Sequence, residues 1–437
     1  MRRMFDRVID PERRARRREK AERQRQREGA PHVVEYFHQL DDPYSHLAAQ
    51  VLGKLAERYD IEIVPRLIRA SGGLNQPEPQ QLTAWARRDA ELIAPHYGLE
   101  FPAGAPDRPA AQFLASALRH LAGLSPATLI AALPDASAAL WAGAVSDGAQ
   151  SATDVEVEGV LASGNDRLAS LGHYSGAMFY YAGEWYWGVD RLSHLEQRLR
   201  DLGACRDPSL PYLCPRPAIE IGEADASGLT LDFYASLNSP YTSIIFDRTV
   251  AMARACGIRF NFKPVLPMIM RGVPATRAKG LYIMFDTKRE AEQLGVDFGP
   301  VVTPIGSPTR RLYSLLAWAK GKGRDIELMS AALCLAFSGG VGLHRRAGLR
   351  RAVEIAGLDW SEACLHLEDT GWRATVAGYQ AEMSEELGLW GVPSYRLSGR
   401  DGEGDLCVWG QDRLWLVAAE IRRRAALASR SGTSELG

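Results

Sequence analysis

With 437 residues and 46% hydrophobic content, the chain is too long for one ordinary domain and apolar enough to fill sizeable cores, which excludes general disorder and points to two globular domains. Lys and Arg number 52 against 53 Asp and Glu, a formal net charge of -1, so no global field draws nucleic acid or an anionic membrane to the body of the protein. The six cysteines show neither C-x-x-C nor zinc-ligand spacing, and no run of about 18 apolar residues or apolar signal core appears, so a metal-free, soluble cytoplasmic protein is expected.

Residues 1–31 stand apart. From Arg13 to Glu28 they are dense in charge and nearly devoid of an apolar face, which predicts a solvated helical or disordered extension that cannot pack on a core. The alternative for this stretch is a tether to an anionic surface or a partner. Beyond it, short apolar segments alternate with helical patterns, and an internal repeat organises them. Residues 35–45, EYFHQLDDPYS, align with residues 232–242, DFYASLNSPYT, at a constant offset of 197. The same offset pairs Ile61 with Ile258, Asp89 with Asp286, Gly98 with Gly295 and Phe101 with Phe298. Each copy also closes alike, on Trp187-Gly188-Val189-Asp190-Arg191-Leu192 and on Trp409-Gly410-Gln411-Asp412-Arg413-Leu414. The expected organisation is a charged extension at 1–31, a first domain at 32–204, a proline-rich linker at 205–228, a second domain at 229–426 and a tail at 427–437.

In the second copy, Leu229 to Tyr234 reads as a buried strand. Ser239-Pro240 opens a helix to about Cys256, since proline is tolerated in the first turn, where its missing N–H would be unpaired anyway. Residues 258–263 alternate as a second strand, giving a β-α-β unit with a right-handed crossover. A long helical stretch follows, then Gly391-Val392-Pro393 into a strand, a polar turn, a strand at 406–409 and a last helix from about Gln411. Phe337 to Gly342 is glycine-rich but lacks the lysine and strand context of a phosphate loop, and reads as a helix break.

A strand that hands its chain to a helix N-terminus places free N–H groups and the positive dipole end at one point, which suits an anion. Ser239 sits there. The order strand, S-P-Y-T, helix, strand, helical insertion, G-V-P, hairpin, helix resembles the DsbA-like branch of the thioredoxin superfamily. The resemblance predicts an α/β fold of two tandem thioredoxin-like domains, each with a helical insertion. Both cysteine positions of the family's C-x-x-C turn are hydroxyl residues here, Ser239 and Thr242, which removes the dithiol that disulfide exchange requires. The Ser-Pro-Tyr turn, with Lys279-Gly280-Leu281-Tyr282, Asp286, Leu389 to Pro393 and Trp409 to Leu414, is similar instead to 2-hydroxychromene-2-carboxylate isomerases and kappa-class glutathione transferases.

That resemblance implies a glutathione-dependent isomerase or transferase acting on a small, aromatic-derived acid. Ser239 would donate a hydrogen bond to the glutathione sulfur. A thiol of pKa about 8.5 is only about 3% ionised at pH 7, and lowering its pKa by about two units, roughly 2.7 kcal/mol, makes it mostly thiolate. Val392 and Pro393 would carry a cis bond that offers backbone to the cofactor. Gln411 and Asp412 would bind its γ-glutamyl end, with Asp412 also able to cap the helix. Tyr241, Thr242, Lys279 and Tyr282 are further candidates for the substrate side, although Tyr241 is expected to pack beneath the site and Asp286, like Asp89, to make a structural hydrogen bond. After Lys263-Pro264 the family's asparagine segment is replaced by Val265 to Arg271, which departs from its usual contacts.

The first copy departs further: Asp42 stands at the serine position and Ala177 at the proline position. A carboxylate beside a thiolate costs roughly 1 to 4 kcal/mol at about 4 Å, so this copy is expected to be scaffold or pseudo-dimer partner. The rival readings are a DsbA-family thiol-disulfide oxidoreductase and a non-catalytic tandem binding module. A homo-oligomer and an intramolecular pseudo-dimer are both compatible with the repeat.

Overall fold

The computed structural model describes residues 7–144, 152–221, 224–273, 275–399 and 404–434, without the side chains of 428–434. The chain forms two compact units, one of Glu12–Pro217 with Thr276–Lys279, the other of Met1–Pro11, Ala218–Ala275 and Gly280–Gly437. The polar hairpin tip at 400–403 and the last tail residues, 435–437, lie outside the described residues.

In the first unit, α1 (Pro11–Glu28) precedes β1 (His32–Gln39), α2 (Pro43–Ala49), α3 (Leu52–Arg58) and β2 (Ile61–Ile68). Four helices follow, α4 (Pro79–Ile93), α5 (Ala111–Ala122), α6 (Pro126–Trp141) and α7 (Asp154–Ser170), then β3 (Met178–Tyr181), β4 (Glu184–Trp187) and α8 (Leu192–Asp201). The second unit repeats this order as β5 (Thr230–Ala235), α9 (Pro240–Ala255), β6 (Arg259–Pro264) and α10 (Arg277–Leu294). Its insertion continues through α11 (Ser307–Gly321), α12 (Asp325–Phe337), α13 (Arg346–Ile355), α14 (Trp360–Cys364) and α15 (Trp372–Ala381) before β7 (Ser394–Ser398), β8 (Leu406–Trp409) and α16 (Leu414–Ser434).

Each unit holds a four-stranded sheet, ordered β2-β1-β3-β4 and β6-β5-β7-β8. The first two strands of each pair in parallel and the remaining pairs are antiparallel. The inner strands β1 and β5 are buried along nearly their whole length, polar residues included. Register makes the two sheets superimposable by residue: Met178 lies opposite Phe37 as Ser394 lies opposite Tyr234. Ala177 and Pro393 therefore occupy one position in the fold, just before β3 and β7.

One acidic residue buried in each inner strand is also matched. Glu35 receives Arg66 at 2.5 Å and Arg167 at 2.6 Å. At the offset of 197, Asp232 receives Lys263 at 3.0 Å, and Lys263 reaches on to Glu382 at 2.8 Å. Burial raises the Glu35 carboxyl, but the Arg167 and Arg66 guanidiniums together outweigh it and hold the pKa below the ordinary value.

Two segments differ from the sequence reading. The extension does pack: α1 has no buried residue, yet Arg18 grips Glu184 of β4 through two bonds of 2.7 Å, and Arg25 donates to the Ala30 carbonyl. A polar face paired to a distant carboxylate, rather than an apolar stripe, docks this helix. The proline-rich stretch 205–217 belongs to the first unit. Arg206 donates to the carbonyls of Ala56, Glu57 and Tyr59, and the Leu213 N–H reaches buried Glu196.

Replacing Glu35 by Gln leaves Arg66 and Arg167 without their counter-charge and is expected to lower the unfolding free energy by about 3 kcal/mol in denaturant titration. The wild type's advantage is full above the ordinary carboxylate pKa of 4.5 and is lost as pH falls through the lower folded-state value.

Candidate functional site

At the C-terminal end of β5 the chain turns through Ser236 and caps α9 with Ser239, in extended backbone (φ −102°, ψ 115°). The Ser239 hydroxyl oxygen accepts the Thr242 N–H at 3.1 Å, which satisfies one of the helix's unpaired donors. Its own proton goes to the Val392 carbonyl at 3.4 Å, a long and therefore weak bond. Val392 and Pro393 are joined by a cis bond. The loop that carries them is fixed on both sides. The Gly410 N–H donates to the Pro393 carbonyl at 2.9 Å, and Ser394 Oγ donates to the Gly391 carbonyl at 2.7 Å. Gly391 lies under the Trp409 ring, where a Cβ would come within 2.6 Å of the indole nitrogen. Trp390 meets the same ring edge-on at 5.4 Å.

The structure thus brings Ser239, Val392 and Pro393 together. Tyr241 and Thr242 lie on the same turn, whereas Lys279, Tyr282, Gln411 and Asp412 lie on other elements. Tyr241 donates to Asp286 at 2.8 Å, and Arg289 holds the other oxygen of that fully buried carboxylate at 2.8 Å. The first unit makes the same tie, from Tyr44 to Asp89 at 2.7 Å, so Tyr241 anchors α9 to α10 instead of lining a substrate surface. Thr242 is fully buried, and its hydroxyl has no partner among the described residues. Lys279 lies in the first turn of α10, in the short segment grouped with the first unit, and burial lowers its pKa to about 8. Tyr282 sits one turn before Asp286, on the same face of α10.

Gln411 and Asp412 are engaged by their own domain. Buried Gln411 donates through its amide to Glu290, itself fully buried, and Asp412 folds back over Gly410 within 3.6 Å of Arg413. The Glu290–Gln411 pair was missed in the sequence, although a signal existed there: the matching residues of the first copy are Ile93 and Val189, both buried. The fold accepts an apolar pair at these positions, so the polar pair is specific to the second unit.

The first unit shows what a closed version of the site looks like. Asp42 caps α2 in nearly the same backbone conformation as Ser239 (φ −105°, ψ 119°). Its carboxylate accepts both the Ser45 N–H at 2.9 Å and the Ser45 hydroxyl at 2.7 Å. The Ser45 oxygen in turn accepts the N–H groups of Gln39 at 3.2 Å and Ala177 at 2.8 Å. Ala177 takes φ +55°, and Gly176 presses so close that a Cβ would meet Gln39 Cβ at 2.6 Å. Every hydrogen-bonding direction of Ser45 is used, and the loop is clasped to the helix start. Burial pushes the Asp42 carboxyl up to about 6 against the opposing Ser45 bonds.

Residues 230–422 match the family model described as the DSBA-like thioredoxin domain. This segment, under half of the chain, is a DSBA-like thioredoxin domain. The first unit, with the same strand order, has a similar fold. Among solved structures, the chain is similar to a 2-hydroxychromene-2-carboxylate isomerase at 18% identity, over 46% of this chain and 98% of that one, with a TM-score of 0.39. It is also similar to a probable DsbA oxidoreductase from Streptomyces coelicolor (18% identity, 45% and 89% covered, TM-score 0.35). A cytosolic disulfide reductase, DsbM from Pseudomonas aeruginosa, is comparable (18%, 46% and 98%, 0.35). No curated protein matches the chain at a significant level. In the DSBA-like domain no cysteine stands at either end of the S-P-Y-T turn, and no disulfide joins any of the six cysteines. Among the described residues no helix is long and apolar enough to cross a membrane, and no group of His, Cys, Asp or Glu is placed to hold a metal ion.

Two substitutions check this account. Because the raised Asp42 pKa penalises the folded state once the carboxyl ionises, Asp42→Asn is expected to raise the melting temperature by several degrees at pH 8. That gain should shrink through pH 6 and vanish below about pH 4, as differential scanning calorimetry on both proteins would read. The double change Glu290→Ile with Gln411→Val installs the first unit's pair. It is expected to leave the unfolding free energy within about 1 kcal/mol of wild type or above it, because the buried carboxylate and its amide partner are removed together.

Proposed function

We propose that the DSBA-like domain is a glutathione-using isomerase or transferase, with Ser239 as the residue that holds the cofactor sulfur in its ionised form. The observation that carries this reading is the state of the Ser239 hydroxyl. It is tied to α9 as acceptor, but its proton rests on a carbonyl 3.4 Å away. A stronger acceptor placed at the helix N-terminus takes that proton direction with little reorganisation. The 16-residue helix α9 adds the positive end of its dipole at the same point.

The donor set suits a thiolate. A second hydroxyl, Thr242 Oγ1, is buried without a partner three residues on, so the turn carries one more donor than its own hydrogen bonds use. Trp390 and Trp409 pack over Gly391 and keep the loop rigid, so the backbone of Val392 is held where a peptide-like cofactor can pair with it. When bound, glutathione supplies a thiolate that adds reversibly to an electron-poor double bond, which permits rotation and cis–trans isomerisation, or conjugation where no elimination follows. The chain's own part is to bind the tripeptide along the Val392 loop, to lower the thiol pKa through Ser239 and the helix end, and to keep water from the sulfur. The substrate fitting this chemistry is a small conjugated acid. Disulfide exchange has no thiol at the turn to work through.

Titration calorimetry with reduced glutathione is the first test, with saturable binding expected in the millimolar range or tighter. Ser239→Ala is expected to lower kcat/KM about 100-fold in a glutathione-dependent isomerisation assay, and to cost about 1 kcal/mol of stability through the lost cap. Ser239→Asp separates the two roles. It keeps the cap, as Asp42 does in the first unit, while its charge repels the thiolate, so folding should persist and glutathione binding should be lost. Unchanged turnover in Ser239→Ala would overturn the assignment.

A further inference from the structure

The helix that the sequence reading set aside as a solvated extension carries an ordered charge pattern. Over Pro11–Glu28 there are nine cations against four carboxylates, a net charge of +5, in a protein whose overall charge is -1. The cations are sorted by face. Arg14, Arg18 and Arg25 lie on the half-buried side with Ala21 and Glu22, where Arg18 is committed to Glu184. Arg13, Arg16, Arg17, Lys20, Arg23 and Arg27 are all exposed. At 3.6 residues per turn these six fall within an arc of about 120°, along about 21 Å of helix. No carboxylate lies inside that arc. Glu12 and Glu19 flank one edge, paired with Arg16 at 2.7 Å and Arg23 at 3.8 Å, and exposed Glu28 flanks the other.

A stripe of this kind suits the phosphates of a nucleic acid or of a membrane surface. The helix has only Pro11, Ala15 and Ala21 as apolar residues, so it has nothing to insert between lipid chains. Five of the six exposed cations are arginine, whose planar fork meets phosphate oxygens two at a time. The docked inner face holds the stripe on a folded support, so little ordering entropy is lost when a partner arrives. We propose that this outer face of α1 binds the phosphodiester backbone of a nucleic acid, without reading its sequence. The net charge argued against such a partner only because it averages the helix over a chain whose remaining residues are acidic. A single six-cation stripe makes few phosphate contacts, so binding is weak and steeply salt-dependent.

Fluorescence anisotropy of short labelled RNA, single-stranded DNA and duplex DNA, titrated with the full chain at about 50 and about 200 mM salt, tests this. The expected result is a micromolar Kd at the lower salt for at least one of the three, with a log–log salt slope between about −3 and −5. The three arms identify which nucleic acid it is. Combining Lys20→Gln and Arg27→Gln, which leaves Arg18 and Glu184 in place, should weaken binding several-fold and flatten the salt slope by about 2, with unchanged helicity and melting temperature. Should that variant unfold, Glu12→Gln with Glu19→Gln still decides, since removing the flanking acids should tighten binding several-fold. No binding up to about 100 µM protein at the lower salt, binding indifferent to both variants, or binding to phosphatidylserine vesicles but to no oligonucleotide would each overturn the proposal.

Discussion

A helix that begins at the end of a buried central strand starts with several backbone N–H groups that nothing in the helix can satisfy. In both units one side-chain oxygen, from Ser239 or Asp42, relieves that deficit from the same backbone conformation. The remaining valence of that oxygen decides what else the turn can hold. A hydroxyl has a proton left to give, and gives it weakly to Val392; a carboxylate has none, and instead gathers Ser45 and, through it, the loop at Ala177. The frame around the turn follows from the cap: the loop before β7 is set by the antiparallel register with β5, and Gly410 is set by the carbonyl of Pro393.

The polar residues buried in the two units divide into those the frame needs and those it tolerates. Glu35 with its arginines and Asp232 with Lys263 occupy one position and bind inner strand to edge strand. Tyr44 with Asp89 and Tyr241 with Asp286 tie the first helix after the turn to the next long helix. Glu290 and Gln411 belong to neither group, since Ile93 and Val189 fill the same positions in the first unit. Burying a carboxylate with an amide offers little over an apolar pair in stability, so the pair is a feature of the second unit that the shared frame does not require.

Much of this was legible because the signals were local or repeated. Ser239-Pro240 announced a helix start through cap and proline chemistry, and the helix begins at Pro240. The offset of 197 placed Asp89 with Asp286, and the order of strands followed from the repeat. What was not legible depended on partners far along the chain. Helix α1 docks on Glu184, 166 residues from Arg18, through a charge pair that no periodicity could reveal. The prolines of 205–217 read as punctuation, yet Arg206 and Glu196 bind that stretch to the first unit. Gln411 was read from its place beside Asp412, whereas its direction is fixed by Glu290 on α10.

The clasp in the first unit also bears on how the two halves can change over evolutionary time. Ala177 sits at φ +55°, and its N–H is one of the donors to Ser45. Proline there would need φ near −65° and would bring no N–H at all. A single exchange at 177 therefore breaks the backbone conformation and the hydrogen bond together, while Asp42 and Ser45 still hold the helix start closed. Reopening this half would take concerted changes at 42, 45 and 177. The clasp thus sets the first unit's turn in an arrangement that no single exchange at 177 converts into the one at Ser239.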